Sequence, residues 1–279
     1  MEWFVPWEAS PTVVIVFALF GLLYVRGSRR RHISIARQLA FWIGFGLLYA
    51  ALHTRVDYYS EHEFFVHRLQ HLVLHHLGPF IVALSHPGIA LRAGLPWRWR
   101  VGVFRTVERS AASRWIFALV LNPIVAPLLF VGLIFFWLWP PVHFDAMLDA
   151  NLYRVMNWSM AIDGLLFWWL ILDPRRCPPA RLAPGLRVLL PLLVMLPQIL
   201  LGACLTFTHR DLYLVYALCG RAWGGISPAT DQYLGGLITW IPSSMMSVVA
   251  ALIAMRNWIF VDIERHRRAV RTRVLNVRP

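Results

Sequence analysis

The sequence predicts an all-α fold, a polytopic membrane helix bundle of about seven transmembrane helices, and three observations predict it. Hydrophobic residues make up 58% of the 279 and charged ones only 15%, with a mean hydropathy of +0.57, a balance that soluble domains of this length do not carry. Seven stretches are long and apolar enough to cross a bilayer. Arginine clusters fall in alternate connections between those stretches. A single bundle domain over residues 1–279 follows, with 262–279 as a basic cytoplasmic tail.

The first stretch, roughly 11–25, is short. Glu2 and Glu8 precede it where a cleaved signal peptide would carry basic residues, and its arginines follow it, so it is expected to stay in the mature protein. Stretches at roughly 35–53 and 63–85 come next. In the third, Pro79 cannot donate to the carbonyl of residue 75, so that helix should kink beside His75, with Gly78 easing the bend. The fourth, fifth and sixth cover roughly 115–139, 153–172 and 187–208, and Pro123, Pro127 and Pro197 loosen the fourth and sixth. The seventh, roughly 231–258, contains Pro242 and follows Ser227 and Thr230, either of which can cap it. Asp231 suits its positive end, and Gly235-Gly236 lets another helix approach closely.

Arginine placement orients the bundle. Arg26, Arg29, Arg30, Arg31 and Arg37 follow the first stretch, Arg92 to Arg114 join the third and fourth, Arg175 to Arg187 join the fifth and sixth, and Arg256 to Arg278 close the chain. The opposite side holds only Arg55, Arg154, Arg210 and Arg221, and collects Asp57, Glu61, Glu63, Asp145, Asp149 and Asp211. The positive-inside rule then puts the N-terminus outside and the C-terminus in the cytoplasm.

A net charge of +13 invites a nucleic-acid reading, but the basic residues are those that flank spans on one side, where topology and anionic lipid account for them. No nucleic-acid-binding module is present. Every basic residue other than histidine is Arg, since the chain has no Lys. That excludes a retinal Schiff base and pyridoxal phosphate, both of which need a lysine amine. Cys177, Cys204 and Cys219 show no CxxC spacing; Cys177 reads as a reduced loop residue and the other two as packing residues.

The most informative segment is the third stretch, Glu63-Phe-Phe-Val-His67-Arg-Leu-Gln-His71-Leu-Val-Leu-His75-His76-Leu-Gly-Pro79. In an α-helix Glu63, His67, His71 and His75 fall within a stripe of roughly 120° on one face. If the helix starts at the outer surface, His67 lies about 6 Å deep, His71 about 12 Å and His75 about 18 Å, at about 1.5 Å per residue. Ionisable groups at such depth are costly and line a cavity, a path or a site.

Other donors converge on the outer half. His53 ends the second stretch, His209 ends the sixth, and Asp231 with Gln232 opens the seventh. Met156, Met160 and Asp163 share one face of the fifth, and Met195, Met245 and Met246 lie near the midplane. Imidazole, thioether and carboxylate around one axis suit copper, with sulfur favouring Cu(I). Each element also has a plain account: a membrane-buried His is usually an interhelical hydrogen-bond partner and Met usually fills core space. His76, turned about 100° from His75, and His86 beside Pro87 read as structural.

The stretch Asp231-Gln-Tyr-Leu-Gly-Gly-Leu-Ile-Thr-Trp-Ile-Pro242, the His67-x-x-x-His71 element and the Arg-flanked layout together resemble the CtaG-like cytochrome c oxidase assembly factors over nearly the whole chain. The matching residues are His67, His71, Asp231, Gln232, Gly235, Gly236 and Trp240. The resemblance implies a multi-pass protein of the bacterial inner membrane that helps mature a haem-copper oxidase, with copper as cargo, the oxidase catalytic subunit as partner and a periplasmic copper donor upstream. With no nucleophile, oxyanion hole or phosphate loop in sight, a non-enzymatic role is expected. Two other readings stay open: a haem-binding electron carrier, which needs His53 or His209 to face the stripe, and a metal-free scaffold for the nascent oxidase subunit.

Overall fold

The computed structural model describes residue 6, residues 10–175, 177–178 and 180–276 in backbone, and in side chain except at 103–105, 108 and 264–276. Glu2, Glu8, Arg176, Arg278 and the side chains of the basic tail thus lie outside the described residues. Within them every regular element is helical.

In chain order these are α1 (Pro11–Ser28), α2 (Ile35–His53), α3 (Arg55–His62), α4 (Phe64–His71), a π-helical turn (Leu72–Leu77), α5 (Gly78–Leu84), α6 (Gly88–Gly94) and α7 (Trp97–Trp99). A second π turn (Arg100–Phe104) leads to α8 (Arg105–Arg109), α9 (Ala111–Val120), α10 (Val125–Leu138), α11 (Pro140–Leu148) and α12 (Ala150–Ile171). The chain finishes with α13 (Pro184–Phe207), α14 (Val215–Cys219) and α15 (Pro228–Asn276).

Four of these helices, α1, α2, α13 and α15, are long and apolar enough to cross a membrane. Two bent pairs bring the number to six: Phe64–Leu84 with Gly88–Gly94, bent by 76°, and Ala111–Val120 with Val125–Leu138, bent by 69°. The architecture is that of a multi-pass helical membrane protein. With 22 residues, α12 matches the others in length, but Arg154, Asn157 and Asp163 on it keep it out of that apolar class.

The bundle has two unlike ends. One carries α3, α11 and α14 with most of the described carboxylates, and is called the acidic end below; the other carries the loop after α12 and the arginine clusters. At the arginine end Arg187 holds the 173–182 loop by donating to the carbonyls of Asp173, Arg175 and Leu182. The core is split to match. Phe80, Phe130, Phe167 and Trp168 pack toward the arginine end, and Phe64, Trp137, Tyr153, Met156 and Tyr216 toward the acidic end. All three cysteines are free and exposed; Cys204 and Cys219 therefore do not pack as the sequence suggested, because each sits on an outward face of its helix.

Candidate metal site in the bundle interior

The histidine-bearing helix α4 is fixed at its start by charge. The backbone of Glu63 is its N-cap, yet the Glu63 side chain turns away, accepting hydrogen bonds from the Trp223 N–H (3.0 Å) and from Arg221 (3.1 Å). Asp231, at the start of α15, caps α4 instead, accepting from the N–H groups of Phe64 (3.0 Å) and Phe65 (2.7 Å). Arg221 bridges the two carboxylates, reaching Asp231 at 2.6 Å. Burial, above all, pushes the Glu63 pKa up, with the Asp231 charge adding to the rise against the Trp223 and Arg221 hydrogen bonds.

Below this lock the expected stripe survives over one turn. The rings of His67 and His71 stack with centroids 4.4 Å apart and 29° between planes. Both are buried, and among their nitrogens His67 Nδ1 and both His71 nitrogens lack a partner. Asn157 Oδ1 on α12 is also without a partner, and the Asn157 side chain lies beside His71. Arg68 on the same helix donates to Thr239 Oγ1 at 2.9 Å.

The next turn departs from the stripe. From Leu72 to Leu77 the helix widens to π geometry, with the Gly78 N–H bonding the Val73 carbonyl. More residues per turn make His75 and His76 lag behind His67 and His71. His75 stacks on Phe130 (centroids 4.0 Å apart) and its Nε2 meets Asp163 Oδ2 at 3.1 Å, leaving Nδ1 without a partner. His76 Nε2 is bonded to Gln198 Oε1 at 2.9 Å, which makes it the structural residue the sequence suggested.

Pro79 explains the π turn, although the structure answers it with a wide turn rather than a sharp kink at that point. The His75 carbonyl that Pro79 cannot serve is taken by the Trp168 indole N–H on α12 at 3.1 Å. One turn earlier on α12, Gly164 lets that carbonyl come close: a Cβ there would lie 2.3 Å from it. Gly164 and Trp168 thus form a backbone cradle for His75.

His143 on α11 escaped the sequence reading. It is fully buried, its ring stands 4.9 Å from that of His67, and it is satisfied at both nitrogens by the Trp137 carbonyl and the Tyr216 hydroxyl, each at 3.0 Å. Burial chiefly lowers its pKa to about 4, so it is neutral, with Nδ1–H donating to Trp137 and Nε2 accepting from Tyr216. The signal was Trp139-Pro140-Pro141, which ends α10 and folds α11 back over the bundle end.

The remaining candidates scatter. Met156 and Met160 are buried, and Met160 borders a cavity of about 10 Å³ together with Arg68, His71, His75 and His76. Met245 is 65% exposed, so it faces away from the interior. His53 is buried at the end of α2 beside Asp57 and Asn157. His209 is exposed, beyond α13. Both Asp231 oxygens are engaged at the α4 cap. Among the described residues no three His, Cys, Asp or Glu side chains converge as a preformed metal site. What the interior offers is a stacked pair of buried imidazoles with three of their four nitrogens unpartnered, and an amide and a thioether nearby.

Over residues 18–260 the chain matches the family described as cytochrome c oxidase caa3 assembly factor. It belongs to that family. The chain is also similar to an uncharacterised protein of Mycobacterium leprae (strain TN), at 24% identity over 97% of this chain and 42% of that protein. The chain thus spans less than half the length of that relative. No solved structure matches it.

In this chain the 231–242 stretch is the clasp that holds α4, α13 and α15 together. Asp231 caps α4, as above. Gln232 accepts from the Leu212 N–H (2.9 Å) and donates to the carbonyls of Arg210 (3.0 Å) and Thr208 (3.1 Å), pinning the loop after α13. Gly236 lets α13 approach, since a Cβ on it would lie 2.7 Å from the Thr206 nitrogen. The stretch sets where the histidines sit, and its Asp231 carboxylate is occupied by the Phe64 and Phe65 N–H groups and Arg221.

Proposed function

We propose that the protein carries copper on His67 and His71 and delivers it to the catalytic subunit of cytochrome c oxidase, acting as a non-enzymatic assembly factor of the bacterial inner membrane. The carrying observation is His71, 1% exposed, with neither ring nitrogen partnered. A buried polar group left unpaired costs about 1–3 kcal/mol, so a helix that keeps such an imidazole stacked on a second one keeps it for a ligand. Neutral imidazole is a copper donor, and the Met160 thioether beside the same cavity is a soft one. Arg68 borders that cavity too, and its charge favours an ion of low charge.

The His75–Asp163 contact has the form of a carboxylate holding a ligating imidazole: the carboxylate occupies Nε2 and orients the ring so that Nδ1 is presented. Asp163 is thus a positioning residue in this reading. A cavity of about 10 Å³ beside His71 suits an ion or one water rather than a porphyrin, which supports the copper reading over the haem-carrier one. The topology that goes with copper delivery counts α12 as a seventh span, with the N-terminus outside, so that the pair is loaded from the periplasm by a copper donor there.

The test is the oxidase. In a strain lacking the gene, oxidase haem should be retained while oxidase copper and activity fall, and excess copper should restore part of the activity by mass action. A strain carrying only His71→Ala protein at normal membrane level should behave like the deletion. Full oxidase copper with the His67→Ala/His71→Ala protein would leave the scaffold reading in its place.

A further inference from the structure

We propose that the cavity at the acidic end between α1, α2, α3 and α12 is a loading vestibule that captures a hydrated metal cation before it moves inward to His71. Its volume is about 50 Å³, and His53, Asp57, Glu61, Arg154 and Asn157 line it. One water needs about 10–15 Å³, so an ion with part of its hydration shell fits. Two carboxylates face one guanidinium, and Arg154 is exposed, where solvent screens it. The net field attracts cations.

Two further observations point to a ligand. His53 is 7% exposed and Asn157 is 4% exposed, and both His53 Nδ1 and Asn157 Oδ1 lack a partner. An imidazole nitrogen, an amide oxygen and two carboxylates line one cavity without converging on a single point, an arrangement suited to holding a hydrated cation through its waters. Asp57 is held in place there by hydrogen bonds from Gln70 Nε2 (2.5 Å) and the Tyr153 hydroxyl (2.8 Å).

Asn157 belongs to both sites, since it lines the vestibule and lies beside His71. An ion passing inward exchanges water and oxygen ligands for imidazole nitrogen, with no change of oxidation state and no proton released from a neutral ring. The destination of the ion rests on the copper reading; its capture at the vestibule does not.

Two probes separate the steps in the full-length protein in detergent. Mn(II), followed by loss of its free-ion electron paramagnetic resonance signal, should bind wild type and His67→Ala/His71→Ala alike. It should bind His53→Gln/Glu61→Gln at least about tenfold more weakly, as for loss of a metal-site partner. Asn157→Asp should bind Mn(II) more tightly than wild type, a gain that a misfolded variant cannot give. Copper(I), offered as its weak acetonitrile complex, should load His53→Gln/Glu61→Gln several-fold more slowly than wild type to the same final content. Equal Mn(II) affinity in wild type, His53→Gln/Glu61→Gln and Asn157→Asp would overturn the vestibule, as would equal copper loading rates. If the Mn(II) pattern holds while wild type takes up no copper, the vestibule stands as a cation site and the copper reading fails.

Discussion

His71 and His143 are both buried imidazoles near His67, and their surroundings assign them opposite roles. His143 has both nitrogens bonded and serves packing; His71 has neither. Four-residue spacing was enough to find the His67–His71 pair, because stacking within one turn is a local property of the helix. His143 was not legible, because its approach depends on α11 folding back, and no spacing within its own segment reports that. Gly164 was equally hidden, as its neighbour is a carbonyl on another helix. Adding a methyl there should force the α12–His75 contact apart and destabilise the fold by about 1–3 kcal/mol, lowering the midpoint of thermal helix loss in detergent for Gly164→Ala. Gly132→Ala, on α10 with nothing within 4 Å of the added Cβ, should leave that midpoint unchanged.

At the scale of the element, α4 is held between a charged lock and a π turn. Proline chemistry foretold disruption beside His75, but the form it took depended on Trp168 of α12 being there to take the freed carbonyl. The lock was half legible: Asp231 suggested a helix start, and the structure gives it to α4 as well as placing it on α15. Removing the shared cation leaves two buried carboxylates side by side, so Arg221→Met should cost about 3 kcal/mol. Its pH dependence has a definite sign. The folded-state pKa of Glu63 lies above its ordinary 4.5, so Glu63 takes up a proton on folding in that window and stability falls as pH rises through it. The same midpoint measured against pH should fall more steeply for Arg221→Met than for wild type, and the variant should recover part of its loss toward pH 4.5. A pH-independent deficit would remove Glu63 from the account.

On the scale of the whole molecule, composition and arginine spacing made the all-helical, multi-pass architecture readable, since lipid demands apolar spans wherever they pack. Pro87 and Pro123 marked the places of the breaks at 85–87 and 121–124, but bends of 76° and 69° there were not readable, because the angle depends on what each half packs against. Depth and loading side follow from topology. Cysteines introduced beside Arg55 or Asp149 should react with an impermeant thiol reagent added outside intact cells, and one beside Arg98 or Arg181 should react only after lysis. The reverse pattern would move the vestibule to the cytoplasm.

In the copper reading the stacked His67–His71 pair of α4 holds the cargo, and the metal content of the purified protein reports on it without going through the oxidase. After loading with copper(I) and dialysis, wild type and His86→Ala should retain the same copper, because His86 lies beyond α5 at the opposite end of the same span. His71→Ala should bind at least about tenfold more weakly, the least that loss of a metal-site partner costs. Copper retained equally by wild type, His86→Ala and His71→Ala would contradict the account.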